Sequence, residues 1–178
     1  MYLFLAFKTE EELRYLRDKV DAIGRTLNIS SVVYYFPFHI SLKISFKIED
    51  EMLEDIVKTI EEYISTIKPF KTYPKRIEIS KNIVWIRMKP SLHLRKIHND
   101  LNNLLLSKYN IPLHEYDNNY KFHVTLFLDD DISKIKEASK DIKDIQLPKK
   151  LYLNKVLIGT SPDGFIGTYR VFKEYDLK

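Results

Sequence analysis

The sequence predicts an α+β fold made of two strand-helix-strand-helix-strand units within a single domain, residues 1–178. Three observations predict it. Apolar residues switch repeatedly between a period of two and a helical period. Two short motifs, His39-Ile40-Ser41-Leu42 and His123-Val124-Thr125-Leu126, stand 84 residues apart. Shifting the whole chain by that offset lays strand on strand and helix on helix, as an internal repeat would. The two units then form lobes related by a pseudo-two-fold axis.

The elements follow in order. Met1 to Phe7 is an apolar run, read as a buried strand. Thr9 and Glu12 make a capping box, and Leu13, Leu16, Val20, Ile23 and Leu27 recur at helical spacing, so 9–28 is a helix. Residues 36–47 alternate: Phe36, Phe38, Ile40, Leu42, Ile44 and Phe46 are apolar and their neighbours are not, as in a strand buried on one face. Leu53, Ile56, Ile60, Ile64 and Ile67 line one side of a second helix. Residues 70–80 and 83–89 read as two strands, and Pro90-Ser91 opens a third helix with the stripe Leu94, Ile97, Leu101, Leu104 and Leu105. A polar loop, 110–120, leads to the strand that carries His123. A short helix at 131–143 and strands at 150–159 and 165–175 complete the chain.

Composition narrows the function classes. The net charge of +4 and pI near 9.0 suit a phosphate-bearing partner without demanding one. The absence of cysteine excludes disulfides, thiolate metal sites and a cysteine nucleophile. The start MYLFLAF lacks a basic leader and a cleavage site, so the expectation is a cytoplasmic protein without a signal peptide or membrane span, and no obligate protein partner is evident. Phosphate-loop and dinucleotide fingerprints do not occur. His93 and His98 lack the spacing of a helical metal site, and His114 lies in the polar loop, so all three are expected on the surface. The glutamates opening the first two helices read as ordinary charge placement at helix N-termini.

In a strand, residues i and i+2 share a face. His39, Ser41 and Lys43 therefore point together, as do Lys121, His123, Thr125 and Phe127. If the lobes face each other, two imidazoles and two hydroxyls line one cleft.

The paired motifs resemble those of the 2H phosphoesterase superfamily, and within it the 2′-5′ RNA ligase-like proteins and RNA 2′,3′-cyclic phosphodiesterases. The resemblance covers nearly the whole chain. It implies a bilobal fold with antiparallel sheets lining a central cleft, helices outside, and neither metal nor cofactor. It also implies acid-base roles for His39 and His123 and phosphoryl contacts for Ser41 and Thr125. The substrates implied are RNA ends or small nucleotides with a 2′,3′-cyclic phosphate or a 2′-5′ linkage. Bacterial relatives often carry Pro before the second motif histidine and Arg shortly after it, where this chain has Phe122 and Leu128.

The chemistry stands on its own terms. Opening a cyclic phosphodiester needs a base for water and an acid for the departing ribose oxygen, and histidine serves both near neutral pH. The near-symmetric site does not say which is which; His123 as base and His39 as acid is the working assignment. Reversible 2′-5′ ligation and simple RNA-end binding are the alternative activities of such a site. Lys43 and Lys121 are candidate phosphate contacts, against the plain reading of solvated lysines. Phe127 and Tyr35 are candidate base-stacking rings, against packing within the fold.

Overall fold

Alternation and helical spacing resolve into nine strands and four α-helices in a computed structural model, which describes residues 1–29, 36–165 and 167–178. The order is β1 (Tyr2–Lys8), α1 (Glu10–Leu27), β2 (His39–Lys47), α2 (Leu53–Ile64), β3 (Phe70–Thr72), β4 (Pro74–Ser80), β5 (Ile83–Met88), α3 (Leu92–Tyr109), β6 (His123–Leu128), α4 (Ile132–Ile142), β7 (Leu151–Leu153), β8 (Lys155–Ser161) and β9 (Arg170–Asp176). A 3₁₀ turn, Asp50–Met52, leads into α2. The expected 70–80 strand is thus two strands that part at Tyr73, and the last strand begins later than its apolar content suggested.

Every strand pair is antiparallel. One sheet runs β2-β1-β8-β9, a second runs β4-β5-β6, and β3 pairs with β7 alone. β2 and β6, each an edge of its sheet, lie beside one another. Their inner residues, Ile40, Leu42, Val124 and Leu126, share one core with Leu3, Leu5, Phe7, Val84 and Ile86. The helices cover that core: α1 buries Leu13, Leu16 and Val20, and α3 buries Leu94, Ile97, Leu101 and Leu105. Such a contiguous apolar interior is the main favourable term in folding.

The capping box at the start of α1 does not form. Thr9 gives no side-chain cap, and its hydroxyl is buried without a partner. The Glu12 carboxylate accepts from Tyr152 N–H at 2.8 Å, tying α1 to β7 instead. Glu10 is more than helix-end charge: it accepts from Phe38 N–H at 2.7 Å and pairs with Arg17, fixing the chain one residue ahead of His39.

The alternation of each motif strand breaks just past its motif, and the register of β2 shifts once more before Phe46. Ala6 pairs with Ser41 but Leu5 pairs with Lys43, so Leu42 is an extra residue in β2. Trp85 pairs with Thr125 but Val84 pairs with Phe127, so Leu126 is an extra residue in β6. Such a bulge reverses the side-chain phase beyond it. Lys43 and Phe127 are consequently turned into the core, 1% and 0% exposed, and neither shares a face with the motif residues as the alternation suggested. The Lys43 ammonium is satisfied there by Asp117 at 2.9 Å and the Pro112 carbonyl at 3.2 Å.

Their substitutions should therefore read out in stability. Phe127→Ala should lower the unfolding free energy by about 3–5 kcal/mol through cavity formation. Lys43→Met should cost about as much by leaving Asp117 as a lone buried charge, and Asp117→Asn on that background should restore part of it. Urea titration of the three variants decides this; undiminished stability of Phe127→Ala would place the ring outside the core.

Candidate active site

Each motif histidine begins a strand and is held the same way. His39 Nδ1 lies 2.7 Å from the Pro37 carbonyl, and His123 Nδ1 lies 2.5 Å from the Lys121 carbonyl. A carbonyl can only accept, so each Nδ1 carries the proton and donates it. Both neutral rings then keep a lone pair on Nε2, the nitrogen facing away from the backbone. Ser41 and Thr125 follow two residues later on the same faces, half-buried like the histidines.

The surroundings disfavour charge on either ring. His39 stands edge-on to Phe4 and Phe36, with ring centroids at 4.9 Å and 5.2 Å. Phe36 has that seat because β8 offers Gly159 beneath it; a Cβ there would come within 2.8 Å of the ring. Burial pushes His39 down to about 4, and repulsion from His123 adds to the effect. Burial lowers His123 as well, and the nearby Arg87 charge works in the same direction. That His39 responds to His123 places both rings in one electrostatic neighbourhood.

Three neighbours of His123 escaped the sequence reading. Trp85, whose ring lies 4.4 Å from that of His123, and Arg87, its cross-strand partner, both come from β5. Their signal was the alternation of β5, in which Val84, Ile86 and Met88 are buried and Trp85 and Arg87 are not. The Trp85 Nε1 and Arg87 Nη1 atoms are buried without hydrogen-bond partners. Tyr120 bridges the two motifs, with its ring 6.0 Å from that of His123 and its hydroxyl in hydrogen-bonding reach of Ser41. Burial pushes that phenol up to about 12, so it stays a neutral donor and acceptor.

The remaining expectations divide. His39, Ser41, His123 and Thr125 are brought together. Lys121 is exposed and reaches the site through its carbonyl. Lys43 and Phe127 belong to the core, and Tyr35 lies outside the described residues. His98, expected on the surface, is 1% exposed: its Nδ1 donates to the Leu42 carbonyl at 2.8 Å, and its ring stacks on Tyr120 at 5.0 Å. His93 is exposed, as expected. Among the described residues no three His, Asp or Glu side chains converge on a metal-sized point, and no helix is long and apolar enough to cross a membrane.

Comparison with known proteins agrees with this fold. The sequence profile of the 2′-5′ RNA ligase superfamily matches residues 4–159. The chain belongs to that superfamily. Among solved structures, this 2′-5′ RNA ligase superfamily member is similar in fold to the protein TT0787 of Thermus thermophilus, at 16% identity and TM-score 0.67 over 99% of this chain and 98% of that one. It is also similar to E. coli LigT complexed with 3′-AMP, at 14% identity and TM-score 0.57 over 99% and 97% of the two chains. A protein described as a phosphoesterase matches at 16% identity and TM-score 0.58 over 99% and 97%. No curated protein matches the superfamily member by sequence.

The depressed histidine has a consequence for stability. In the unfolded chain His39 titrates near 6.5, whereas in the fold it does so near 4, so between those values the unfolded state binds the extra proton. Stability is fully present above the unfolded value and falls as pH drops through this window, by about 3 kcal/mol at most. His39→Gln should flatten the slope of urea midpoint against pH between about 7 and 4. An unaltered slope would mean that the ring is solvated in the fold.

Proposed function

We propose that the protein is a metal-independent phosphodiesterase that opens RNA-derived 2′,3′-cyclic phosphates or hydrolyses 2′-5′ linkages in the cytoplasm. The observation that carries the reading is the matched pair of imidazoles, each fixed through Nδ1 to the carbonyl two residues earlier and each backed by a hydroxyl at the next outward position. Superfamily membership supports the reaction class.

In the proposed reaction one Nε2 takes a proton from water as it attacks phosphorus, and the opposite ring protonates the ribose oxygen as the P–O bond breaks. Ser41 and Thr125 donate to the phosphoryl oxygens, where the transition state spreads its charge. Both rings are disfavoured as cations in the free site, so the bound phosphate anion is what returns a proton to one of them. Base and acid roles are thus fixed on binding. Repulsion between the rings limits the pair to one imidazolium, the state that in-line displacement needs.

The two-lobed, duplicated organisation belongs to the same proposal. Under the repeat, β2, β1 and β8 of one sheet overlap β6, β5 and β4 of the other, so each sheet takes its third strand from the other unit. The β3-β7 pair then lies between the lobes.

With a cyclic-phosphate-ended oligonucleotide, His39→Ala and His123→Ala should each lose at least about 10²-fold in turnover, the usual contribution of an acid-base group. The double variant should be little worse than either single, as for groups that act together. The rate should be bell-shaped in pH, with values that belong to the pair. Activity should survive EDTA. Full turnover by either single variant, or loss on chelation with rescue by zinc, overturns the reading.

A further inference from the structure

We propose that a cavity beside His123 binds a second phosphate of the substrate, so that the preferred ligand carries an additional phosphate besides the one between the histidines. The proposal rests on reading the histidine pair as a phosphodiester site. The cavity measures about 240 Å³ and lies where β5 ends and α3 begins. Arg87, Lys89, Arg95 and Lys121 line it, and no acidic side chain does. That volume accommodates a phosphate group with its first waters.

Two donors in this lining have nothing to bind. The Nη1 atoms of Arg87 and Arg95 are both buried without hydrogen-bond partners. Arg95 is otherwise anchored, through Nη2 to the Tyr120 carbonyl and through its stacking on the Phe122 ring at 5.1 Å. A buried donor left unmade is costly, more so on a charged group, and an anion is the natural partner for two guanidinium forks. The cavity also adjoins the reacting groups: Arg87 is the cross-strand partner of His123, and the Lys121 carbonyl receives the His123 proton. A phosphate there would lie beside the one undergoing chemistry, within the span of a nucleotide. Its source can be a 5′-phosphate on the same nucleotide or the phosphodiester of a neighbouring one.

Direct calorimetry on the full chain tests this without requiring turnover. The ligands are adenosine 2′-monophosphate, adenosine 2′,5′-bisphosphate, and a dinucleotide with a terminal 2′-phosphate and no 5′-phosphate. At least one ligand with the second phosphate should bind about tenfold tighter than the monophosphate or better, since charge-assisted hydrogen bonds are worth that much. Which one gains identifies the source. Arg95→Gln should abolish the advantage, and the exposed Lys89→Glu should do so without disturbing the Tyr120 anchor. Equal affinity for all three ligands overturns the subsite, as does an advantage that persists in both variants. A preserved advantage in a protein that turns over no phosphodiester overturns the catalytic reading alone.

Discussion

At Leu42 and again at Leu126 a motif strand carries one residue more than its neighbour, and much of the site's architecture follows from that extra residue. Without it, alternation would place Lys43 and Phe127 beside the motif side chains. With it, Phe127 simply fills the interior, but Lys43 brings a charge that needs a counter-ion. Asp117 supplies it from the segment between α3 and β6, and is itself braced by the His114 N–H at 2.7 Å. The carbonyl of Leu42, the extra residue itself, accepts from His98. Tyr120 stacks on that imidazole and reaches Ser41. The buried polar network behind β2 thus holds, through Tyr120, a group that touches both motifs.

How much of this was legible in the sequence depends on which interaction decides each feature. The helices and most strands follow from apolar period, which burial enforces directly, and the paired motifs were visible because they recur at one offset. The bulges were not visible. Through Lys43 the residues of β2 keep alternating in a pattern that fits an unbroken strand, and only register shows the slip; in β6 the apolar run Leu126-Phe127-Leu128 was the one local sign of it. His98 was more accessible than it seemed. It sits four residues after Leu94 and four before Asn102, within the buried stripe of α3, so helical spacing alone marked it as interior. The capping box failed for a different reason: Glu12 is drawn away by an N–H on β7, a partner 140 residues distant that no local pattern announces.

Local pairing explains how two similar motifs can stand in unlike surroundings. Lys8 is the cross-strand partner of His39, as Arg87 is of His123. Lys8 is neutralised by Glu174 at 2.8 Å, so little of its charge reaches the neighbouring ring. Among the described residues no carboxylate pairs with Arg87, and its charge is one of the causes that lower His123. One histidine is therefore kept neutral by burial among aromatic rings and by repulsion from the other histidine, and the second by burial together with a cation.

These two devices differ in how they respond to a bound anion. Aromatic walls disfavour a charged imidazole whatever else is bound, except through direct contact with the anion itself. A cation's repulsion is cancelled when an anion binds to the cation. An anion seated on Arg87 would therefore ease protonation of His123 without the same effect on His39. Under the proposed reaction this favours His39 as the base, the reverse of the order assumed from sequence, and would link occupancy of the basic cavity to the direction of proton transfer. The site's near-symmetry is thus a symmetry of scaffolding, and the surroundings of the two rings differ.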